Sequence, residues 1–421
     1  MKTKAVRIYG ENDLRLEEFD LPEMKEDEIL MKVISDSICM SSYKAAIQGA
    51  KHKRVPNDVA ENPTIIGHEF CGELVKVGKM WEDKFYVGQK VTIQPALNDP
   101  EDIYAAPGYS FKYIGGDATY VIVPRKVMEL GCLLNYTGDA FYYGSLSEPM
   151  ACIVGGFHTS WHNVPGHHYA HKMDIVPNGK MAILAGAGPM GLGAIDYAIH
   201  RDIHPSLLVV TDVDDARLER AASIYTPEEA KKYGVELHYV NTACDDAVEK
   251  LLALTGGTGY NDVFVYAPVP AVVAQGSEIL GHDGCLNFFA GPTRTDFTAP
   301  FNFYKVHYDT THIAGDSGSN IDDVIEAISM MGCGKINPSS MITHVGGLDS
   351  VVETTLNLPN IKGGKKLIYT QISLPLFAID DLEEMGKTDA IYAELAKITK
   401  ANNGLWCKEA EEYLLANAKA I

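Results

Sequence analysis

No two of the eight cysteines in this 421-residue chain (Cys39, Cys71, Cys132, Cys152, Cys244, Cys285, Cys333 and Cys407) stand at Cys-x-x-Cys spacing. Neither a disulfide framework nor a four-thiolate zinc site is therefore expected, and most of these thiols are small buried hydrophobes. No apolar run is long enough to span a bilayer, and Met1 to Phe19 mixes charges with apolar residues where a leader would need an apolar core. A soluble, cytoplasmic protein with no membrane partner is the expectation. Positive charge is scarce: 36 Lys and Arg stand against 56 Asp and Glu, a formal net charge of -20. That balance excludes broad binding to nucleic acid or anionic membranes, so a phosphorylated ligand would need a local basic pocket. Internal repeats and low-complexity tracts are also missing. What remains is the composition of an ordinary globular chain.

The length suits two domains. Alternating apolar residues in Lys4-Ile8, Glu28-Ile34 and Thr64-Val77 predict short strands of a β-rich first domain. From Met181 the pattern changes to buried strands alternating with helices, at Met181-Ala185, Leu207-Thr211, Val263-Tyr266, Cys285-Phe289 and His312-Ala314. This predicts a parallel, doubly wound sheet, and the fold class is α/β. A helix over Ile321-Met331 and a strand over Lys366-Tyr369 return the chain to the first domain. The domains are thus expected at 1–157 with 316–421, and at 158–315. Residues 374–421 form a helical appendage, with a stop at Asn402-Asn403-Gly404. Five histidines between Phe157 and His171 (His158, His162, His167, His168 and His171) lack regular metal spacing and read as a surface linker.

Two groups of residues carry chemistry. Gly186-Ala187-Gly188-Pro189-Met190-Gly191 follows an apolar strand and opens a helix, the context in which Gly-x-Gly-x-x-Gly cradles a dinucleotide. Asp212 lies 21 residues beyond Gly191, where a carboxylate can accept from ribose hydroxyls and repel a 2'-phosphate. NAD(H) is favoured over NADP(H), although Arg217 could soften that preference unless it pairs with Asp214 or Glu219. The second group is Cys39, His68, Glu69 and Glu148. Thiolate, imidazole and carboxylate are zinc ligand types, and three or four of them leave room for water or substrate. Taken singly, each has an ordinary structural reading.

The segment Gly67-His68-Glu69-Phe70-Cys71-Gly72-Glu73-Leu74-Val75-Lys76-Val77-Gly78 resembles the zinc alcohol dehydrogenase signature of the medium-chain dehydrogenase/reductase superfamily. Cys39-Met40-Ser41-Ser42, Gly88-Gln89-Lys90-Val91 and Thr343-His344-Val345 resemble three further family motifs. The resemblance covers nearly the whole chain. It implies a GroES-like catalytic domain carrying an inserted Rossmann domain. It makes Cys39, His68 and one or both of Glu69 and Glu148 the ligands of a catalytic Zn2+, and gives Ser41 the hydroxyl that meets the reacting oxygen. A homodimer or homotetramer joined near Thr311-Gly315 is implied as well. The chain departs from the family at several positions. Gln94-Tyr113 has no cysteine where a structural zinc lobe would fall, so one zinc is expected. Met40 and Ser42 replace Gly and Asp, and Trp81 stands where a small residue is usual. Lys44 occupies the place of a relay histidine.

Lys44 opens a basic stretch with Lys51, His52, Lys53 and Arg54, either a solvated loop or a pocket for a substrate phosphate. That stretch, with Pro107-Gly108-Tyr109-Ser110-Phe111 and Asn287-Phe288-Phe289-Ala290-Gly291-Pro292, is similar to the L-sorbose 1-phosphate reductase branch. The resemblance implies reduction of this ketose phosphate to D-glucitol 6-phosphate with NAD(P)H. Rival expectations are a dehydrogenase of an unphosphorylated polyol such as sorbitol, a zinc-free quinone reductase, and a non-catalytic NAD-binding module.

Overall fold

The computed structural model describes residues 1–421 apart from the side chain of His168, so that member of the histidine group lies outside the described residues. The chain divides into two compact units, Met1–Pro149 with Asn320–Cys333 and Pro338–Ile421, and Met150–Ser319 with Gly334–Asn337. The first division falls inside the helix Ser147–Thr159, earlier than the boundary expected at residue 157. Gly334–Asn337 belongs to the second unit, where Asn337 donates its N–H to Asp196 at 2.6 Å and Lys335 pairs with Asp202.

In the first unit the organising strand is Ile29–Ile38. Its first half alternates buried and half-buried residues and its second half is buried throughout. It pairs antiparallel with Cys71–Val77 on one side and Lys365–Tyr369 on the other, inside a large sheet that also holds Ile342–Gly347, Lys90–Ile93 and Leu133–Asn135. Met31, Val33, Phe70, Leu74 and Val91 fill one core under it. The strand stops at Ile38, Cys39 takes the N-cap position, and the helix Met40–Gln48 begins. A strand end and a helix start thereby fix the backbone of one candidate ligand. The appendage folds as helices Ala390–Ala401 and Lys408–Asn417, turned at Asn403 and Gly404, which both take positive φ. Its Leu395, Trp406 and Leu414 pack with Tyr369 and Phe377.

The second unit carries six parallel strands in the order Glu236–Asn241, Leu207–Asp212, Lys180–Leu184, Tyr260–Val265, Leu280–Asn287 and His312–Ala314. Numbered along the chain this is 3-2-1-4-5-6, the doubly wound order. Ala182, Leu184, Val209, Val263, Val265 and Leu286 are buried beneath its helices, which accounts for their apolar runs. The histidine-rich segment corrects the linker expectation. Trp161–Val164 and His167–Met173 form an antiparallel hairpin turned at Gly166. His162 is buried on it, with Nε2 3.0 Å from Asp262 and Nδ1 2.9 Å from the Asp283 carbonyl. His171 stacks on Trp161.

Candidate functional site

Three of the four candidate metal ligands converge in the first unit. Ligand atoms of Cys39, His68 and Glu69 all lie within 4.8 Å of one another. Ser42 Oγ sits 3.2 Å from His68 Nδ1 and so holds one ring nitrogen. The other, Nε2, lies within 3.3 Å of both Ser41 Oγ and Tyr109 Oη and is the ring nitrogen free to face a metal. Burial lowers the His68 imidazole and keeps it neutral, the form that ligates a metal. Ser41 Oγ donates to Cys39 Sγ at 2.9 Å. Burial raises the Cys39 thiol while the Lys365 ammonium pulls the other way.

The two carboxylates differ in their surroundings. Both oxygens of Glu69 accept from the Lys365 ammonium, Oε2 at 2.6 Å, and Oε2 also accepts from Ser37 Oγ. Burial opposes the charge on Lys365, but Glu69, Cys39 and Glu148 together outweigh it and raise the ammonium. Glu148 is buried in the first turn of Ser147–Thr159, and burial followed by the charge of Glu69 pushes it up to about 7. Beneath the Gly67-His68-Glu69 turn, Asp36 Oδ1 accepts from the Glu69 N–H at 3.0 Å. Gly67 leaves room for that carboxyl, since a Cβ there would lie 2.3 Å from Asp36 Oδ2. Thiolate, neutral imidazole and carboxylate in a buried group fit zinc, and the neighbouring hydroxyls of Ser41 and Tyr109 suit an oxygen-bearing substrate.

In the second unit Gly186, Gly188 and Gly191 each answer a different steric need. A Cβ on Gly186 would meet Ile183 Cγ2 at 2.4 Å, and one on Gly191 would meet the Gly186 carbonyl at 2.0 Å. At Gly188, the N-cap of Pro189–His200, a Cβ would meet nothing within 4 Å. That opening before a helix N-terminus is where a pyrophosphate can approach backbone amides. Pro189 takes the first helical position, and Met190 follows it half-buried. Asp212 ends its strand buried, with Oδ1 accepting from Val213 N at 2.8 Å. Arg217 lies exposed, 3.8 Å from Asp214, the plain pairing foreseen as its alternative.

Comparison with known proteins agrees with this geometry. The family described as "Alcohol dehydrogenase GroES-like domain" matches residues 25–130, and "Zinc-binding dehydrogenase" matches residues 189–332. The chain is 49% identical over 415 residues to "Mannitol-1-phosphate 5-dehydrogenase" of Aliivibrio fischeri, covering 98% of this chain and 97% of that protein. It is 48% identical over 419 residues to "L-sorbose 1-phosphate reductase" of Klebsiella pneumoniae, covering 100% and 98%. The chain belongs to the zinc-dependent medium-chain dehydrogenase/reductase superfamily. It is an oxidoreductase of the alcohol and polyol dehydrogenase kind, using zinc and a nicotinamide cofactor. The crystal structure of 2R,3R-butanediol dehydrogenase from Bacillus subtilis shares the fold, with a TM-score of 0.70 at 21% identity, covering 87% of this chain and 99% of that one.

Within this superfamily member the basic stretch separates into unlike parts. Lys51 pairs with Glu11 and its side chain is 78% exposed, and Lys53 sits over the Tyr104 ring. Arg54 instead lies half-buried, with Cζ 5.7 Å from the centre of Tyr109, whose hydroxyl touches His68. Lys44 is half-buried, and its ammonium is lowered by burial against the pull of Cys39. Trp81 joins the core and donates to the Asp27 carbonyl at 2.9 Å. Where a cysteine-bound lobe would fall, Lys126 bridges Asp99 and Glu101, each at 2.9 Å. Sequence reasoning missed Lys365 and Tyr109 as site residues. Tyr109 lay inside a quoted resemblance segment, while Lys365 follows Gly363-Gly364 with no motif around it. No described helix is long and apolar enough to cross a membrane.

Proposed function

We propose that this chain is a polyol-phosphate dehydrogenase that reduces L-sorbose 1-phosphate to D-glucitol 6-phosphate with NAD(P)H, and runs in reverse on the polyol phosphate. The observation that carries the reading is the group of half-buried Cys39 with buried His68 and Glu69, with Arg54 one aromatic ring away. Both relatives named above bear a phosphate on a sugar or sugar alcohol in their names, which supports the same substrate class. Cys39, His68 and one or both of Glu69 and Glu148 would hold a single zinc, which when bound would polarise a carbonyl as a Lewis acid, and the Gly186–Gly191 turn would hold the pyrophosphate of the nicotinamide cofactor that supplies hydride. Glu69, clamped by Lys365, orients the group electrostatically. Ser41 donates the proton to the developing alkoxide, and Lys44, whose burial loosens its proton, replenishes it. Arg54 receives the phosphate, and Lys51 and Lys53 contribute at most a diffuse field. Asp212 favours NAD(H). The edge strand His312–Ala314, with Ile313 53% exposed, supports a homodimer or homotetramer joined there.

A mannitol 1-phosphate oxidised at carbon 5 is the second reading. In that substrate the ester lies four carbons from the reacting one. In L-sorbose 1-phosphate it lies on the neighbouring carbon, and the closeness of Arg54 to Tyr109 and His68 supports the shorter spacing. The test is NADH oxidation with L-sorbose 1-phosphate, fructose 6-phosphate and free L-sorbose, each with and without a zinc chelator. Chelator-sensitive turnover of L-sorbose 1-phosphate, with KM raised by R54Q, is the expected result. Preference for fructose 6-phosphate would favour the second reading, and turnover of free L-sorbose alone would remove the phosphate from the function.

A further inference from the structure

The last helix of the chain sends one carboxylate into the metal-bearing unit. Glu411, on Lys408–Asn417, is 2% exposed. Its Oε1 accepts from the Phe141 N–H at 2.7 Å and its Oε2 from the Tyr142 N–H at 2.9 Å. These are two of the amides that the short helix Phe141–Ser145 cannot satisfy itself, and its N-cap, Ala140, offers no side-chain acceptor. Oε2 also accepts from Tyr369 Oη at 2.9 Å, and that hydroxyl accepts from Trp406 Nε1 at 2.8 Å.

One buried carboxylate thus joins two elements that lead to the metal cluster. Phe141–Ser145 runs within three residues into Glu148, while Lys365–Tyr369 begins with the lysine that clamps Glu69. Further hydroxyls hold the same short helix, Ser35 Oγ on the Phe141 carbonyl at 2.9 Å and Thr92 Oγ1 on the Gly144 carbonyl at 2.7 Å. Beside this bridge the appendage packs through the apolar Leu395, Trp406 and Leu414, and its end hydrogen-bonds backbone to backbone at Ser373 and Gln371. Packing alone does not require a desolvated carboxylate there, since burying one is costly unless its bonds are made.

We propose that Glu411 is a positioning residue, through which the C-terminal appendage clamps the turn before Glu148 to the strand bearing Lys365 and so sets how tightly the cluster holds its metal. This rests on the reading of Cys39, His68 and Glu148 as a zinc site.

The test compares full-length E411Q, Y369F and L414A with wild type, measuring zinc affinity by chelator competition and the melting temperature of the metal-free proteins. A glutamine offers one carbonyl oxygen and turns its amide toward an N–H, so E411Q breaks the bridge. Y369F removes only the link to the strand, and it decides the matter should E411Q fail to fold. L414A weakens the same apolar contact without touching the bridge. The expected result is zinc binding weaker by about tenfold or more in E411Q, as for other partners behind metal ligands, and by several-fold in Y369F. L414A should lower the melting temperature and leave affinity unchanged. If E411Q and Y369F also change only the melting temperature, Glu411 is a packing residue and the proposal falls. A wild-type affinity that C39S does not alter would overturn the metal reading itself, a separate outcome.

Discussion

In the dinucleotide turn the candidate groups are backbone amides laid open by three glycines within six consecutive residues, whereas the candidate metal cluster is made of the side chains of Cys39, His68 and Glu69, with Lys365 clamping Glu69. The turn needs little beyond space and a helix N-terminus, and most of its side chains could vary. The cluster needs each donor, and each donor needs a partner: Ser42 for His68, Lys365 for Glu69, Ser41 for Cys39. A backbone site is broken by adding atoms and a side-chain site by removing them.

The sharpest break is therefore a deletion in the cluster. C39S should abolish zinc binding and lower turnover by roughly three orders of magnitude or more. NADH affinity should stay within about twofold of wild type, because C39S leaves the backbone amides of the dinucleotide turn in place. Metal content and a fluorescence titration of NADH check both halves, and activity retained in a zinc-free C39S protein would end the metal mechanism.

Next in size is the removal of a partner rather than a ligand. Lys365 and Glu69 are 6% and 1% exposed, so K365M leaves a buried carboxylate without its counter-charge. A loss of about 3–5 kcal/mol is expected by chemical denaturation. Replacing both residues, as K365M with E69Q, should cost less than K365M alone. A K365M protein as stable as wild type would make the pair incidental.

Glu148 gives the comparison a pH dependence. Its folded value is raised from the ordinary 4.5 to about 7, so the metal-free protein gains stability from the protonated carboxyl. That gain is complete below pH 4.5 and is lost as pH rises through 7, on the order of 3 kcal/mol at about 1.4 kcal/mol per pH unit. E148Q should flatten the profile of melting temperature against pH over that window. Zinc must displace the same proton, so its apparent affinity should fall as pH drops through 7. Thermal melts of the metal-free proteins together with zinc titrations measure both trends.

These contrasts also explain which parts of the molecule could be read in advance. The dinucleotide turn was legible because its determinants are contiguous, and the His312–Ala314 strand and the helix at Ile321 carried their own periodicity. The convergence of Cys39, His68 and Glu69 was legible through family motifs, each of which is short. Lys365 was not, because it meets Glu69 across 296 residues and nothing local marks it. The histidine hairpin was misread since polar residues on a two-stranded ribbon lack an apolar stripe, and only the tertiary contacts of His162 show which side is inward. The basic stretch looked uniform in sequence, yet its side chains diverge: Lys51 to Glu11, Arg54 to Tyr109.

The smallest expected effects come from the backbone site, where two methyl groups should act differently. An alanine at Gly191 would place Cβ 2.0 Å from the Gly186 carbonyl, so the helix or the turn must move, at about 1–3 kcal/mol. An alanine at Gly188 meets no protein atom, and its φ of -84° and ψ of 178° suit any residue, so the fold should keep its melting temperature. Its methyl would occupy the space left for the pyrophosphate, and NADH affinity should fall by roughly tenfold, which is about 1.4 kcal/mol. G191A should thus register first in the melt and G188A first in the titration. If G188A bound NADH as wild type does, the open space at that turn would not be the cofactor's, and the match to a dinucleotide cradle would rest on sequence pattern alone.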